Sequence, residues 1–317
     1  EIAEEIVAYA KTTGGLISKE DLATHQANWV EPISIPYNEV TLHEIPPNGQ
    51  GIAALMALGI LKKWNITDYP MDSADSLHLQ IEAMKLAFSD AHRYVSDPTT
   101  RDIEVADLLD PSYLLSRAKQ IDLKSAQISN FGHPGFGETV YLTAADTSGM
   151  MVSFIQSNYQ GFGSGIVLPN TGISFQNRGF GFSLEKGHPN QVDGGKRPYH
   201  TIIPAFVTQN GQPLMSFGVM GGPMQPQGHT QMMTRIFDYS QNPQAACDAP
   251  RWRVLEDKKV AFEHGIKPST LEDLSNRGHD INFLPKSQFG GGQFIYKLQD
   301  GYCGASDSRK DGQATGF

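Results

Sequence analysis

Thr139 opens a run of β-formers directly after a stretch with three glycines and a proline in eleven residues, Ile128 to Glu138. If the Glu138–Thr139 bond were cut, Thr139 would carry a free α-amino group beside its own hydroxyl. An α-amine titrates ordinarily at about 7.7–8.0, so near neutral pH part of it is unprotonated and can take the proton from Oγ. Nucleophile and base then sit in one residue, a recognised way of activating threonine. The plainer reading of the same position is a β-branched side chain at the start of a strand.

The usual catalytic patterns fail on spacing. In Gly161-Phe162-Gly163-Ser164-Gly165 the serine stands one position too late for a nucleophile elbow. No Walker A sequence, no HExxH and no GxGxxG between a strand and a helix occurs. Cys247 and Cys303 give no zinc spacing and allow at most one disulfide, which leaves the redox compartment open. His78 and His92 fall fourteen apart on one expected helix, too far to share a metal, and read as solvated or core-edge histidines. His200, in Arg197-Pro198-Tyr199-His200-Thr201 just ahead of a strand, is a better site candidate. Pairs such as Glu4-Glu5 and Asp107/Asp110 read as solvated helix faces.

These residues must be positioned by two unlike halves. Residues 1–138 hold 10 Lys/Arg against 20 Asp/Glu and 8 glycines, whereas residues 139–317 hold 15 against 14 and 24 glycines. The first half reads as helical. Leu77, Ile81, Met84, Phe88, Ala91 and Val95 recur at helical spacing behind Ser73, a plausible N-cap, and Asp97-Pro98 closes the pattern. Further helices are expected over 52–63 and, with Asp110 as cap and proline first, over 111–120. Gly14-Gly15 separates an opening helix from another near Ser18 or Lys19.

The second half reads as strands. Hairpins are expected from Val140–Ala145 with Met151–Gln156, and from Thr201–Thr208 with Leu214–Val219 around the Asn210-Gly211 turn. A strand over Gly172–Gln176 and helices over 227–239 and 268–277 complete the reading. The organisation is therefore residues 1–138, mostly helical with a flexible linker over 128–138, followed by residues 139–317. Helices, then strands, then helices imply an α+β fold with packed layers.

Composition excludes several partners. The longest near-apolar run, Gly51 to Leu61, has eleven residues, against the roughly 20 that span a bilayer. A chain of net charge −9 without a basic stripe lacks the electrostatic footprint of nucleic-acid binding. The chain starts at Glu1 in mid-pattern, so it is expected to be a fragment, and no signal peptide is visible.

Thr139-Val-Tyr-Leu-Thr143-Ala-Ala-Asp146, Gly149, Gly161-Phe-Gly-Ser-Gly-Ile166, Asn177, Gly194-Gly-Lys-Arg-Pro198 and Met220-Gly221-Gly222 occur in this order. Upstream stand Gly14-Gly-Leu-Ile-Ser-Lys-Glu-Asp-Leu22 and Pro46-Pro-Asn-Gly-Gln-Gly51, and downstream Asp248-Ala-Pro-Arg-Trp252 and Gly304-Ala-Ser-Asp307. Together they resemble the γ-glutamyltranspeptidase family of N-terminal-nucleophile hydrolases, along essentially the whole chain. The resemblance implies a four-layer αββα sandwich and a precursor that cuts itself before the threonine into two subunits that stay associated. It also implies that an earlier part of the family lies outside these 317 residues, including an arginine that grips the substrate α-carboxylate, so that a sheet face or edge is left uncovered.

Carried over by position, the resemblance makes Glu138-Thr139 the cleavage site, Thr139 the nucleophile and Ser157 its supporting hydroxyl. Gly221 and Gly222 become the oxyanion hole, and no metal or organic cofactor is required. Tyr159, Arg178, His200 and Thr201 fall on substrate-binding positions, but as departures. Tyr159 replaces an asparagine, Arg178 and Gly181 replace the Gln and Asp that bind a free α-amine, His200-Thr201 replaces a serine pair, and Val140 replaces a threonine. An acid is lost and a positive charge gained, so the expected substrate is a small amide whose acyl group is rich in carboxylate and lacks the α-amine. This pattern resembles the branch with oxamate amidohydrolase and cephalosporin-acylase-like proteins. The alternatives are a true γ-glutamyltransferase or glutathione hydrolase, and an inactive truncated fragment acting only as an interaction surface. The compartment is left open between cytoplasm, favoured because that branch often lacks export signals, and periplasm.

Overall fold

The computed structural model describes residues 1–128 and 138–317, with the side chain of Glu138 left out; the expected linker over 128–138 lies, beyond Ile128, outside the described residues. In chain order the elements are α1 (Ile2–Thr13), α2 (Lys19–Thr24), β1 (Ile33–Tyr37), β2 (Val40–Glu44), α3 (Gly51–Leu61), α4 (Ala74–Tyr94), α5 (Val105–Leu108) and α6 (Pro111–Ala118). Then come β3 (Glu138–Ala145), β4 (Met151–Tyr159), β5 (Ala205–Gln209), β6 (Gln212–Met220), α7 (Met224–Met233), α8 (Pro243–Asp248), β7 (Trp252–Glu256), β8 (Lys259–Phe262), α9 (Pro268–Asn276), β9 (Asp280–Phe283), β10 (Gly291–Leu298) and β11 (Gly301–Ser306).

Local chemistry sets the helix ends. Ser73 Oγ accepts the Ser76 N–H to start α4, and Asp110 accepts the N–H groups of Ser112 and Tyr113 ahead of Pro111 in α6. Ser18 and Asp21 form a capping box for α2. Helix α3 is apolar all round and buried on nearly every side, so it lies in the middle of the helical layer.

A six-stranded antiparallel sheet runs β1-β2-β5-β6-β10-β11. Helices α3 and α7 pack on one of its faces, with α4 behind α3. The β3–β4 hairpin packs on β6 and β10. Tyr141, Thr143, Ser153 and Ile155 face that sheet, and Val140, Leu142, Val152 and Phe154 point away and are exposed. The expected αββα sandwich is thus represented by helices, one full sheet and a two-stranded second sheet. A smaller sheet, β7-β8-β9, lies against α4, α7 and α9.

Two sequence expectations need correction. The first half is not purely helical, because β1 and β2 pair with each other and β2 pairs with β5, placing residues of both halves in one sheet and one core. Pro36 obscures β1 in the sequence, yet proline is tolerated there because β1 is the edge strand. Gly172–Gln176 is no strand; it makes the single bridge Val167–Ser174. Helix α7 passes into one π turn over Thr234–Asp238, which carries the expected 227–239 helix to its end. Among the described residues no helix is long and apolar enough to cross a membrane.

Candidate functional site

Strands β3 and β4 lose one residue of register beside Thr139. Glu138 stands opposite Tyr159 and Val140 opposite Gln156, so Thr139 alone faces Ser157 and Asn158. Such a bulge re-aims side chains at the end of a hairpin. Thr139 Oγ is buried and has no hydrogen-bond partner among the described residues, hence none with Ser157, whose Oγ accepts the Tyr159 N–H at 2.8 Å. A buried hydroxyl without a partner is costly in a purely structural role.

Thr139, Ser157 and Gly221 line one cavity of about 590 Å³. Val140, Leu142 and Phe154 from the outward face of the hairpin form an apolar wall, and Gln156, Asn158, Ser287 and Lys310 supply polar groups. Gly222 adjoins this lining. Gly221 and Gly222 adopt φ 122° and 59°, backbone that glycine tolerates and other residues rarely do. A Cβ on Gly221 would lie 3.1 Å from Gly290 Cα. Their N–H groups have no acceptor among the described residues, and the turn they form leads into α7, whose N-terminal end favours negative charge.

The other four sequence candidates gather elsewhere. Arg178 is buried, its Nη1 donates to Thr201 Oγ at 2.5 Å, and its guanidinium lies 4.9 Å from the Tyr159 ring centre. Burial pulls Arg178 down to about 10 and raises the Tyr159 phenol. Arg178 Nη2 and the Tyr159 hydroxyl are buried without partners among the described residues. Tyr159 borders a second cavity of about 260 Å³ with His92, Phe180, Gly181, His188 and Tyr199. His200 joins the loop before α3 through its backbone, accepting the Gln50 N–H and donating to Asn48 O, both at 2.9 Å. Burial, then the charges of Arg178 and Arg197, push its imidazole down to about 3, so it is neutral. At Gly181, where the family resemblance puts an acid, a Cβ would meet Tyr199 O at 2.6 Å.

Gln50, which the sequence reading did not single out, ties these groups together. Its Nε2 donates to Thr201 O at 2.5 Å and to Gly222 O at 2.9 Å, and its Oε1 accepts from the Tyr199 hydroxyl at 3.2 Å. Its position inside Pro46-Pro-Asn-Gly-Gln-Gly51, itself part of the resemblance, was the available signal.

His78, Glu82 and His279 form a buried group with ligand atoms within 4.8 Å of one another. His78 is therefore fully buried rather than solvated or at the core edge. Its Nδ1 meets His279 Nε2 at 2.8 Å, its Nε2 donates to Asp122 O at 2.8 Å, and Lys85 Nζ lies 2.5 Å from Glu82 Oε1. The cluster thus contains a cation of its own, and desolvation holds His279 near 2, as the neutral imidazole.

The gamma-glutamyltranspeptidase family profile matches residues 1–317. The chain is 33% identical to the "Glutathione hydrolase-like YwrD proenzyme" of Bacillus subtilis, over 100% of this chain and 62% of that protein. It is 35% identical to the "Oxamate amidohydrolase proenzyme" of Klebsiella pneumoniae, over 100% of this chain and 61% of that protein. Among solved structures, cephalosporin acylase from Bacillus halodurans superposes with a TM-score of 0.93 at 48% identity, covering 98% of this chain and 57% of that one. The chain thus spans less than two thirds of the length of these relatives.

Proposed function

The chain belongs to the γ-glutamyltranspeptidase family, and on that premise we propose that it is the greater part of a self-processing amidohydrolase or acyltransferase with Thr139 as nucleophile. The carrying observation is the unpartnered Thr139 hydroxyl, sharing a cavity with Ser157 and with the free N–H of Gly221.

Thr139 Oγ attacks the Glu138 carbonyl, and the peptide nitrogen leaves as the α-amine, giving an ester on Thr139. Water hydrolyses that ester, freeing the Glu138 carboxylate and the new N-terminus. In turnover the α-amine takes the Oγ proton as Oγ attacks a substrate amide, then passes it to the departing amine. The N–H groups of Gly221 and Gly222 hold the tetrahedral oxyanion, a contribution of about 3–4 kcal/mol per donor in comparable sites. Water, or an acceptor amine, resolves the acyl-enzyme. Residues 1–138 then belong to the end of the first chain of the processed protein and residues 139–317 to the second, and the two stay together.

The position-181 contact supports an acyl group without a free α-amine over a γ-glutamyl group, since the backbone there leaves no room for an acid. Arg178, Tyr159, Thr201 and His200 then shape the site from behind. Intact mass of the full-length protein after incubation at neutral pH tests the reading. Cleavage between Glu138 and Thr139 is expected, with none in Thr139→Ala; a Thr139→Ala variant that is still cut there sinks it.

A further inference from the structure

The Thr139 cavity has one charged lining residue among those described, Lys310, and no acidic one. Lys310 forms no ion pair with any described residue, and it is half-buried. Its stem lies over the backbone of Gly291, where a Cβ would fall 2.4 Å from Lys310 Cγ. Gly291 pairs with Met220, the residue before Gly221, so the stem crosses the sheet end that carries the oxyanion turn.

The segment that presents Lys310 is firmly held. Asp307 Oδ2 accepts from Arg251 Nη2 at 2.6 Å and from the Gly292 N–H at 2.7 Å, and both side chains of this Arg–Asp pair are fully buried. Arg309 is fastened to Glu263 at 2.5 Å and to the carbonyls of Cys247 and Ala249. Arg251, Asp307, Arg309 and Glu263 are paired with one another in this frame, whereas Lys310 is in no ion pair with a described residue. A fixed, partly desolvated cation beside a reactive hydroxyl is a receptor for an anion.

We propose that Lys310 determines specificity for the reaction assigned to Thr139, its ammonium anchoring a carboxylate on the substrate while the scissile carbonyl lies at Thr139 and Gly221. The proposal rests on the reading of Thr139 as nucleophile. It assigns to Lys310 the anion recognition that sequence comparison suggested for Arg178, whose guanidinium is engaged with Thr201 and Tyr159 instead.

The test compares two chromogenic anilides of equal chain length, glutaryl, which carries the carboxylate, and valeryl, which lacks it, on the full-length protein. In Lys310→Met the ratio of kcat/KM for glutaryl over valeryl is expected to fall about ten- to hundredfold, mainly through KM, the size of a lost charged hydrogen bond. Lys310→Arg is expected to restore most of the ratio. Binding of glutarate and valerate, the acyl products of the two anilides, to the protein carrying Thr139, with and without Lys310→Met, is measured by calorimetry and needs no turnover. Selective weakening of glutarate binding supports the proposal. An unchanged ratio, or equal weakening of both compounds in the binding experiment, overturns it. Wild-type protein that hydrolyses neither anilide counts against Thr139, and the calorimetric arm still decides Lys310.

Discussion

The surroundings of Thr139 and those of Arg178 differ in how their polar groups are spent. Around Thr139 a hydroxyl and two backbone N–H groups are left without partners beside a cavity of about 590 Å³. Around Arg178 most polar groups bond one another, with Gln50 closing the group through hydrogen bonds to Thr201, Tyr199 and Gly222, and the two left over, Arg178 Nη2 and the Tyr159 hydroxyl, stand by a smaller cavity of about 260 Å³ that Tyr159 borders. Unspent groups beside open volume can bind and react, whereas spent groups in packing hold geometry. The family resemblance marks both regions alike, and the proposed chemistry falls to the first.

The largest break in that contrast is expected at Gly221. A Gly221→Ala side chain meets Gly290 and disfavours φ 122°, so the turn must shift its N–H away from the reacting carbonyl. kcat should fall on the order of a hundredfold or more with the fold retained, as steady-state kinetics alongside circular dichroism would show; unimpaired kcat would remove Gly221 from the oxyanion site.

Arg178→Met sharpens the contrast from the other side. It should cost about 1–3 kcal/mol of stability through the lost Thr201 bond, read as a lower melting temperature, with a smaller effect on kcat than Gly221→Ala. A large rise in KM at unchanged melting temperature would instead put Arg178 on the substrate.

A further contrast is in pH. His92 and His200 are held neutral by burial, with imidazoles near 4 and near 3 against an ordinary 6.5. The unfolded chain takes up protons below 6.5 and the folded one does not, so their contribution is whole above 6.5 and is lost as pH falls toward 4. Each histidine contributes a slope of at most about 1.4 kcal/mol per pH unit in that window. Denaturant midpoints between pH 7 and 4 check this, and His200→Asn should flatten the curve.

Helix α4 and the two hairpins were legible because their periodicity and turns are local. So was the strand that starts beside Thr139, because its β-forming run and the preceding glycines are adjacent in sequence. What escaped depends on distant neighbours. Strand β1 is recognisable only from its edge position beside β2, and His78 meets His279 across 201 residues of chain. Gln50 joins groups 149 to 172 residues away, and Lys310 is conspicuous only once Arg251, Asp307, Arg309 and Glu263 have been paired with one another. Residue type at 310 suggests nothing; its place as the one charged residue among the described lining of the Thr139 cavity does.

The β2–β5 ladder acquires another character once the bond before Thr139 is cut. Thr41–His43 and Phe206–Thr208 then belong to separate polypeptides, and so do Gln50 and Gly222. The central sheet becomes a heterodimer interface, and the oxyanion turn is braced by an amide from the other chain. Melting of the processed protein would then obey mass action, its midpoint rising with protein concentration, whereas the uncut precursor melts at a midpoint independent of dilution.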